Sequence, residues 1–178
     1  MSSEYSSLSI PVNRNRDHIL GPDTAPITLV EYGDYECPYC GQAYPIIKQI
    51  QDYFGDNIRF VFRNFPLSQV HPHAQRAAEE AGDQNKFWKM HDYLYEHQQT
   101  LDDSHLEKYA KIVELDLARF DEDMKNHIHV PKIREDFLSG IQSGVNGTPS
   151  FYINGTRYNG SWDFDALMQT FTGIIDNR

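Results

Sequence analysis

The only two cysteines of the 178-residue chain stand three positions apart, in Cys37-Pro38-Tyr39-Cys40. Two thiols with two residues between them can close a disulfide, open it and pass it to another pair. The motif lies where an apolar run, Ile27-Thr28-Leu29-Val30, gives way to a helix-like run from Gly41 to Phe54. A helix beginning at Pro38 makes Cys37 its N-cap. Proline suits the first helical position because its missing N–H would find no partner there. The amides of Tyr39 and Cys40, and the positive end of the helix dipole, then point back at the Cys37 sulfur. Such surroundings favour thiolate, and cysteines in them titrate at roughly 3.5–7.5. Cys40 sits inside the first turn and is the less exposed of the two. Cys37 is therefore assigned as the attacking thiol. Cys40 is the resolving thiol, which breaks a mixed disulfide made at Cys37.

Other uses of a CxxC fit less well. A zinc site needs four ligands, and there is no second CxxC; His71 and His73 do not complete a usual zinc spacing. A structural disulfide closing a four-residue loop constrains the unfolded chain very little. The residues call for no metal and no cofactor.

The elements that must hold these thiols come next. The strand over Ile27–Tyr32 is apolar except for Glu31, which suits a central strand covered on both faces. A carboxyl there is desolvated and its pKa raised, so Glu31 is a candidate proton relay to Cys40. Its alternative is an acid that reaches solvent at the strand edge. Asp34 and Glu36 read as solvated loop acids beside the motif. Along the motif helix, Ala43, Ile46, Ile47, Ile50 and Phe54 follow helical spacing, and Pro45 predicts a kink. Gly55-Asp56-Asn57 ends it, and Ile58–Arg63 alternates as a second strand.

From His71 to about Gly144 the pattern turns helical. Helices are predicted over 72–83, 84–98, 103–115, 117–126 and 131–143, with a cap signal at Asp102-Asp103-Ser104. Phe87, Trp88, His91, Leu94 and Tyr95 form a core-facing stripe, and Asp121-Glu122-Asp123 a solvated face. Strand character returns at 148–153. Asn154-Gly155 then marks a hairpin into Thr156–Tyr158, and a last helix covers 164–175 behind Asp163. Upstream, residues 1–17 read as a polar lead with a short strand near Leu8 to Val12. The division expected is 1–17 as lead, 18–66 and 145–178 as one domain, and 67–144 as an inserted helical subdomain.

A second constellation is Val145-Asn146-Gly147-Thr148-Pro149. A proline opening a strand is either an ordinary trans residue or a cis one beside the CxxC. In the cis case the Thr148 backbone turns outward and can pair with an extended substrate.

Bulk numbers narrow the classes. A chain 39% hydrophobic and 13% aromatic can build a packed core without staples. A net charge of −10 argues against nucleic acid or an anionic membrane as partner. No stretch is long and apolar enough to span a membrane. Met1 to Val12 is Ser-rich without an apolar core, so it is not read as a secretory signal. With cysteines confined to the motif, this sets the expectation of a cytoplasmic protein.

Taken together the chain resembles the DsbA-like branch of the thioredoxin superfamily, in its cytosolic-type form. The likeness rests on Gly21-Pro22, Val30 to Cys40, Phe65-Pro66-Leu67, His71-Pro72-His73-Ala74 and Gly144 to Pro149, and runs from about Asp17 to Phe171. It implies an α/β thioredoxin fold with an all-helical insertion between the second and third core strands. It further implies a cis Thr148–Pro149 bond, Glu31 as the buried acid and Pro45 as the kinking proline. The function implied is thiol–disulfide exchange with protein or peptide substrates, together with a redox recycling partner. Tyr39, Thr148 and Pro149 would bind substrate. Two further readings stay open: a redox-responsive, chaperone-like binding module, and a glutathione-using transferase or isomerase of the same fold.

Overall fold

In this computed structural model, residues 6–67 and 72–178 are described. The strands are β1 (His18–Leu20), β2 (Ile27–Gly33), β3 (Ile58–Asn64), β4 (Ser150–Ile153) and β5 (Thr156–Tyr158). They form one five-stranded sheet in the order β1-β3-β2-β4-β5. β2 and β3 run parallel, and the other pairs are antiparallel. The parallel pair needs a crossover, which α1 (Pro38–Phe54) supplies. Between β3 and β4 come α2 (His73–Asp83), α3 (Phe87–Glu96), α4 (Asp103–Ile112), α5 (Leu117–Lys125) and α6 (Val130–Ser143); α7 (Phe164–Asp176) follows β5. This is the thioredoxin-like α/β fold with its helical insertion.

Local chemistry sets most of these boundaries. Asp102, Asp116 and Asp163 cap α4, α5 and α7, each accepting a first-turn amide with its side chain. Gly144 closes α6 in the left-handed conformation. Asn154 and Gly155 both have positive φ, +50° and +85°, as a two-residue hairpin turn requires, and join β4 to β5. α1 continues through Pro45 as one helix.

Period two divides β2 between two cores. Ile27 and Leu29 face a large apolar cluster with α1, α2, α3, α4 and α7; Val30 and Tyr32 face a smaller one with Val61, Phe65, Val145 and Tyr152. Glu31, in phase with Ile27 and Leu29, is thus carried beneath α1.

One expectation is corrected at the N-terminal side. Residues 8–12 form no strand; a single bridge joins Ser7 to Thr156 instead. The edge strand is β1, a three-residue piece whose Ile19 pairs with Val61. It is too short for an alternating pattern to show. α3 also begins later than the helix predicted over 84–98, at Phe87, where its apolar stripe starts. Asn85 takes φ +61°, which ends α2 and forces a turn before Phe87.

Candidate active site at the start of α1

Cys37 is the N-cap of α1, with extended backbone angles (φ −77°, ψ 121°) and Pro38 behind it. Its N–H donates to the Asp34 carbonyl at 3.0 Å, and the Gly41 N–H donates to the Cys37 carbonyl at 3.1 Å, closing the first turn. The sulfur makes no capping hydrogen bond to the first-turn amides. It leans across to the other constellation instead, 3.6 Å from the Thr148 carbonyl oxygen. That differs from the expectation that the amides of Tyr39 and Cys40 would engage it. Cys37 keeps 8% of its surface exposed and Cys40 none. Both thiols are free. The Thr148–Pro149 bond is cis, and the Thr148 hydroxyl is buried with no partner among the described residues. Tyr39 stands out into solvent, 62% exposed.

Glu31 lies below. It is 3% exposed, and its Oε1 has no hydrogen-bond partner among the described residues. Burial pushes its carboxyl up to about 8. Burial, and then the charge of Glu31, push the Cys40 thiol far above the ordinary thiol range. The Tyr95 hydroxyl is likewise buried and unpartnered among the described residues. Gly33 permits this crowding: a Cβ there would stand 3.0 Å from both Glu31 Oε1 and the Tyr95 hydroxyl. A small cavity of about 10 Å³ is lined by Glu31, Tyr44, His91, Lys48 and Asp92, the last two forming an ion pair at 3.1 Å.

Asp34 is not the solvated acid its loop position suggested. It is 3% exposed, and its carboxylate accepts from the N–H of Glu36 at 3.0 Å, the N–H of Leu67 at 2.9 Å and Gln75 Nε2 at 2.8 Å. It ties the motif loop to the segment after β3 and to α2. Glu36 is exposed, as expected. Local spacing carries no signal for Asp34, since two of its three donors lie over thirty residues away. Gln98 was missed for the same reason. From the turn after α3 it donates to the carbonyls of Tyr35 and Cys37 at 2.8 and 3.0 Å.

His71 lies outside the described residues. His73 pairs through Nδ1 with Asp103 at 2.7 Å, at the start of α4. The potential metal ligands that converge among the described residues are Glu80, Asp123 and His129, in the helical insertion. The Arg119 guanidinium stands 3.6 Å from Glu80 and 3.5 Å from Asp123, so the group reads as an ion-pair network.

A thiol N-cap facing the carbonyl that precedes a cis-proline, with a second thiol buried one turn on, invites comparison with known redox folds. A family model described as Thioredoxin matches residues 13–176. The chain belongs to the thioredoxin family. Its structural neighbours are DsbA-like thiol–disulfide oxidoreductases. BdbD from Bacillus subtilis superposes with a TM-score of 0.80 at 25% identity, over 96% of this chain and 99% of that one. A thioredoxin-like oxidoreductase from Silicibacter pomeroyi gives 0.76 at 26% identity, over 94% and 99%. The alpha-DsbA1 of Wolbachia pipientis shares the fold, with a TM-score of 0.82 at 18% identity over 96% and 95%.

Curated sequence relatives include a Na(+)/H(+) antiporter NhaA 1 of Salinispora arenicola, 48% identical over 178 residues. The match takes in 98% of this chain and 27% of that protein. The NhaA 3 of Salinispora tropica is 44% identical over 164 residues, 90% of this chain and 25% of that protein. The chain thus spans about a quarter of the length of these relatives. No helix among the described residues is long and apolar enough to cross a membrane.

Proposed function

We propose that the chain is a thiol–disulfide oxidoreductase acting on protein or peptide substrates through Cys37 and Cys40. The observation that carries this reading is the asymmetry of the pair: Cys37 keeps a solvent-facing edge beside the Thr148 carbonyl, and Cys40 is wholly buried one turn on. In the reducing direction the Cys37 thiolate attacks a substrate disulfide. A Cys37–substrate bond forms, and the other substrate sulfur leaves as a thiolate. Cys40 then gives up its proton and attacks Cys37 Sγ, so the substrate leaves as a dithiol and the Cys37–Cys40 disulfide remains. Two electrons pass to the substrate, and the reverse sequence oxidises it. A thiol as strongly protonated as Cys40 needs a base at that moment. Glu31, beneath it and lacking a partner of its own among the described residues, is the proton relay.

Thr148 contributes backbone groups to an extended substrate, with Pro149 and the exposed Tyr39 flanking the same groove. A separate redox partner restores the starting state. The confinement of cysteines to the motif supports a reducing, cytoplasmic setting for this chemistry.

The test is reduction of insulin disulfides by dithiothreitol with and without the protein. Catalysis by the natural chain, its loss in Cys37→Ser and its loss in Cys40→Ala are expected. Retained turnover in Cys37→Ser would overturn the assignment. Turnover that needs glutathione but not Cys40 would point to glutathione-dependent transfer.

A further inference from the structure

Gly41 is the fourth residue of α1, a place where glycine is less favourable than alanine. Its φ is negative, so no turn explains it. The space where its side chain would be is filled from the helical insertion. A Cβ at position 41 would collide with the amide end of Gln98, with Cδ at 2.6 Å and Oε1 nearer still. From that seat Gln98 Nε2 spends both of its protons on the motif loop, donating to the Tyr35 carbonyl at 2.8 Å and the Cys37 carbonyl at 3.0 Å. The turn that bears it is itself pinned. His97 stacks on Tyr93 with ring centroids 4.2 Å apart, the Thr100 N–H donates to the His97 carbonyl, and Tyr109 of α4 donates to the Thr100 carbonyl at 2.7 Å.

We propose that Gln98 is a positioning residue for the exchange reaction, reaching from the helical insertion to hold the backbone of Cys37, with Gly41 kept small to admit it. This rests on the oxidoreductase reading of Cys37 and Cys40. The Cys37 carbonyl already accepts the Gly41 N–H. The second donor, from Gln98, fixes the plane of that peptide and with it the direction of the sulfur toward the Thr148 carbonyl. A nucleophile held in its attack geometry reacts faster than one that wanders. Changing Gln98 should thus move both the rate at Cys37 and the relative stability of the dithiol and disulfide forms.

Four variants of the full chain test this: Gln98→Ala, Gln98→Glu, Gly41→Ala, and the double variant Gly41→Ala with Gln98→Ala. Two quantities are read: the rate of insulin reduction, and the equilibrium constant of the Cys37–Cys40 pair against glutathione. Gln98→Ala is expected to slow exchange roughly tenfold, near what losing one to two net hydrogen bonds costs. It should also shift the glutathione equilibrium about threefold. Gln98→Glu keeps the shape, loses both donors and sets a carboxylate against two carbonyl oxygens, so it should be slower than Gln98→Ala.

Gly41→Ala is the decisive variant. It displaces the amide but improves helix propensity, so its thermal midpoint should fall less than that of Gln98→Ala, while exchange falls to the same level as Gln98→Ala. A residue that only stabilised the fold would lose exchange in proportion to stability. The double variant should be no slower than either single one. Exchange within twofold of the natural chain in Gln98→Ala, or additive losses in the double variant, would overturn the proposal. Absence of exchange by the natural chain would instead overturn the oxidoreductase reading. The glutathione equilibrium would still report on Gln98 in that case, and an unchanged constant in Gln98→Ala would overturn its role.

Discussion

Arg63 and Glu31, on opposite faces of the sheet, are buried in opposite ways. Arg63 and Asp17, on the face covered by α6, have no side-chain exposure and bond each other twice, at 2.9 and 3.0 Å. Arg63 also donates to the Tyr32 hydroxyl at 3.0 Å, which in turn shares a proton with Ser139. Asn64, at the end of the same strand, donates to Asp136 of α6 and to Glu79 of α2, and Glu79 meets His18 at 2.8 Å on the α1 side of the sheet. On the face beneath α1, Glu31 and the Tyr95 hydroxyl are equally buried, and neither finds a partner among the described residues. The neighbours Glu31 and Tyr32 on one strand therefore live under different rules. A charge bonded on several sides fastens elements together. An acid left unbonded under a thiol is costly to the fold, which on the proposed reading is the cost of a group that exchanges a proton when that thiol reacts.

The difference has a sign in pH. Burial alone would raise Asp17 and Glu79, but their bonds, from Arg63 and from His18 respectively, outweigh it and hold both below the usual carboxylate range. Their contribution to stability is in place above that range and is lost as pH falls through the lowered values. Glu31 runs the other way. Its contribution is in place below about 4.5 and is lost as pH rises toward 8, where the folded protein is forced to hold a buried carboxylate.

Breaking the paired face should cost most. Arg63→Ala removes both of its charged bonds to the buried Asp17 carboxylate, which keeps only Arg16 and the Asn13 N–H among the described residues, and should lower unfolding free energy by about 3–5 kcal/mol in urea titration, with exchange per folded molecule little changed. A loss under about 1 kcal/mol would mean the network is not structural. Next comes Glu31→Gln. It should remove the alkaline decline, so that its stability exceeds that of the natural chain by a few kcal/mol at pH 8.5 and matches it near pH 5. Exchange should slow severalfold, with the rate losing its dependence on a group titrating near 8. An identical pH–stability curve for Gln and Glu would contradict the assignment of Glu31. The smallest effects come from a matched pair. Tyr32→Phe deletes a bonded hydroxyl and should cost about 1–2 kcal/mol, whereas Tyr95→Phe deletes an unbonded one and should be neutral or slightly stabilising. Equal losses for the two would erase the distinction between the faces.

Much of this was legible from order and spacing. The strand-to-helix junction at the motif, the Asn154-Gly155 turn and the caps at Asp102 and Asp163 all depend on residues within a few positions of one another. So does the odd acid in an apolar strand, which singled out Glu31. What spacing cannot carry is a partner far along the chain. Asp34 looks like a loop acid until Gln75 and Leu67 reach it, and Arg63 looks like the polar end of a strand until Asp17 folds over it. The one local trace of Gln98 is a glycine where a helix would prefer almost any other residue. β1 escaped because three residues are too few to show a period.

The central claim is that Cys37 forms the bond to substrate and Cys40 breaks it. Incubating Cys40→Ser and Cys37→Ser separately with a disulfide-bonded peptide, quenching with acid and weighing the protein by mass spectrometry tests this directly. The account predicts that Cys40→Ser accumulates a one-to-one peptide adduct at Cys37, while Cys37→Ser stays unmodified because its remaining thiol is buried and protonated. An adduct that forms as fast on Cys40 in Cys37→Ser, or on neither variant, would contradict it.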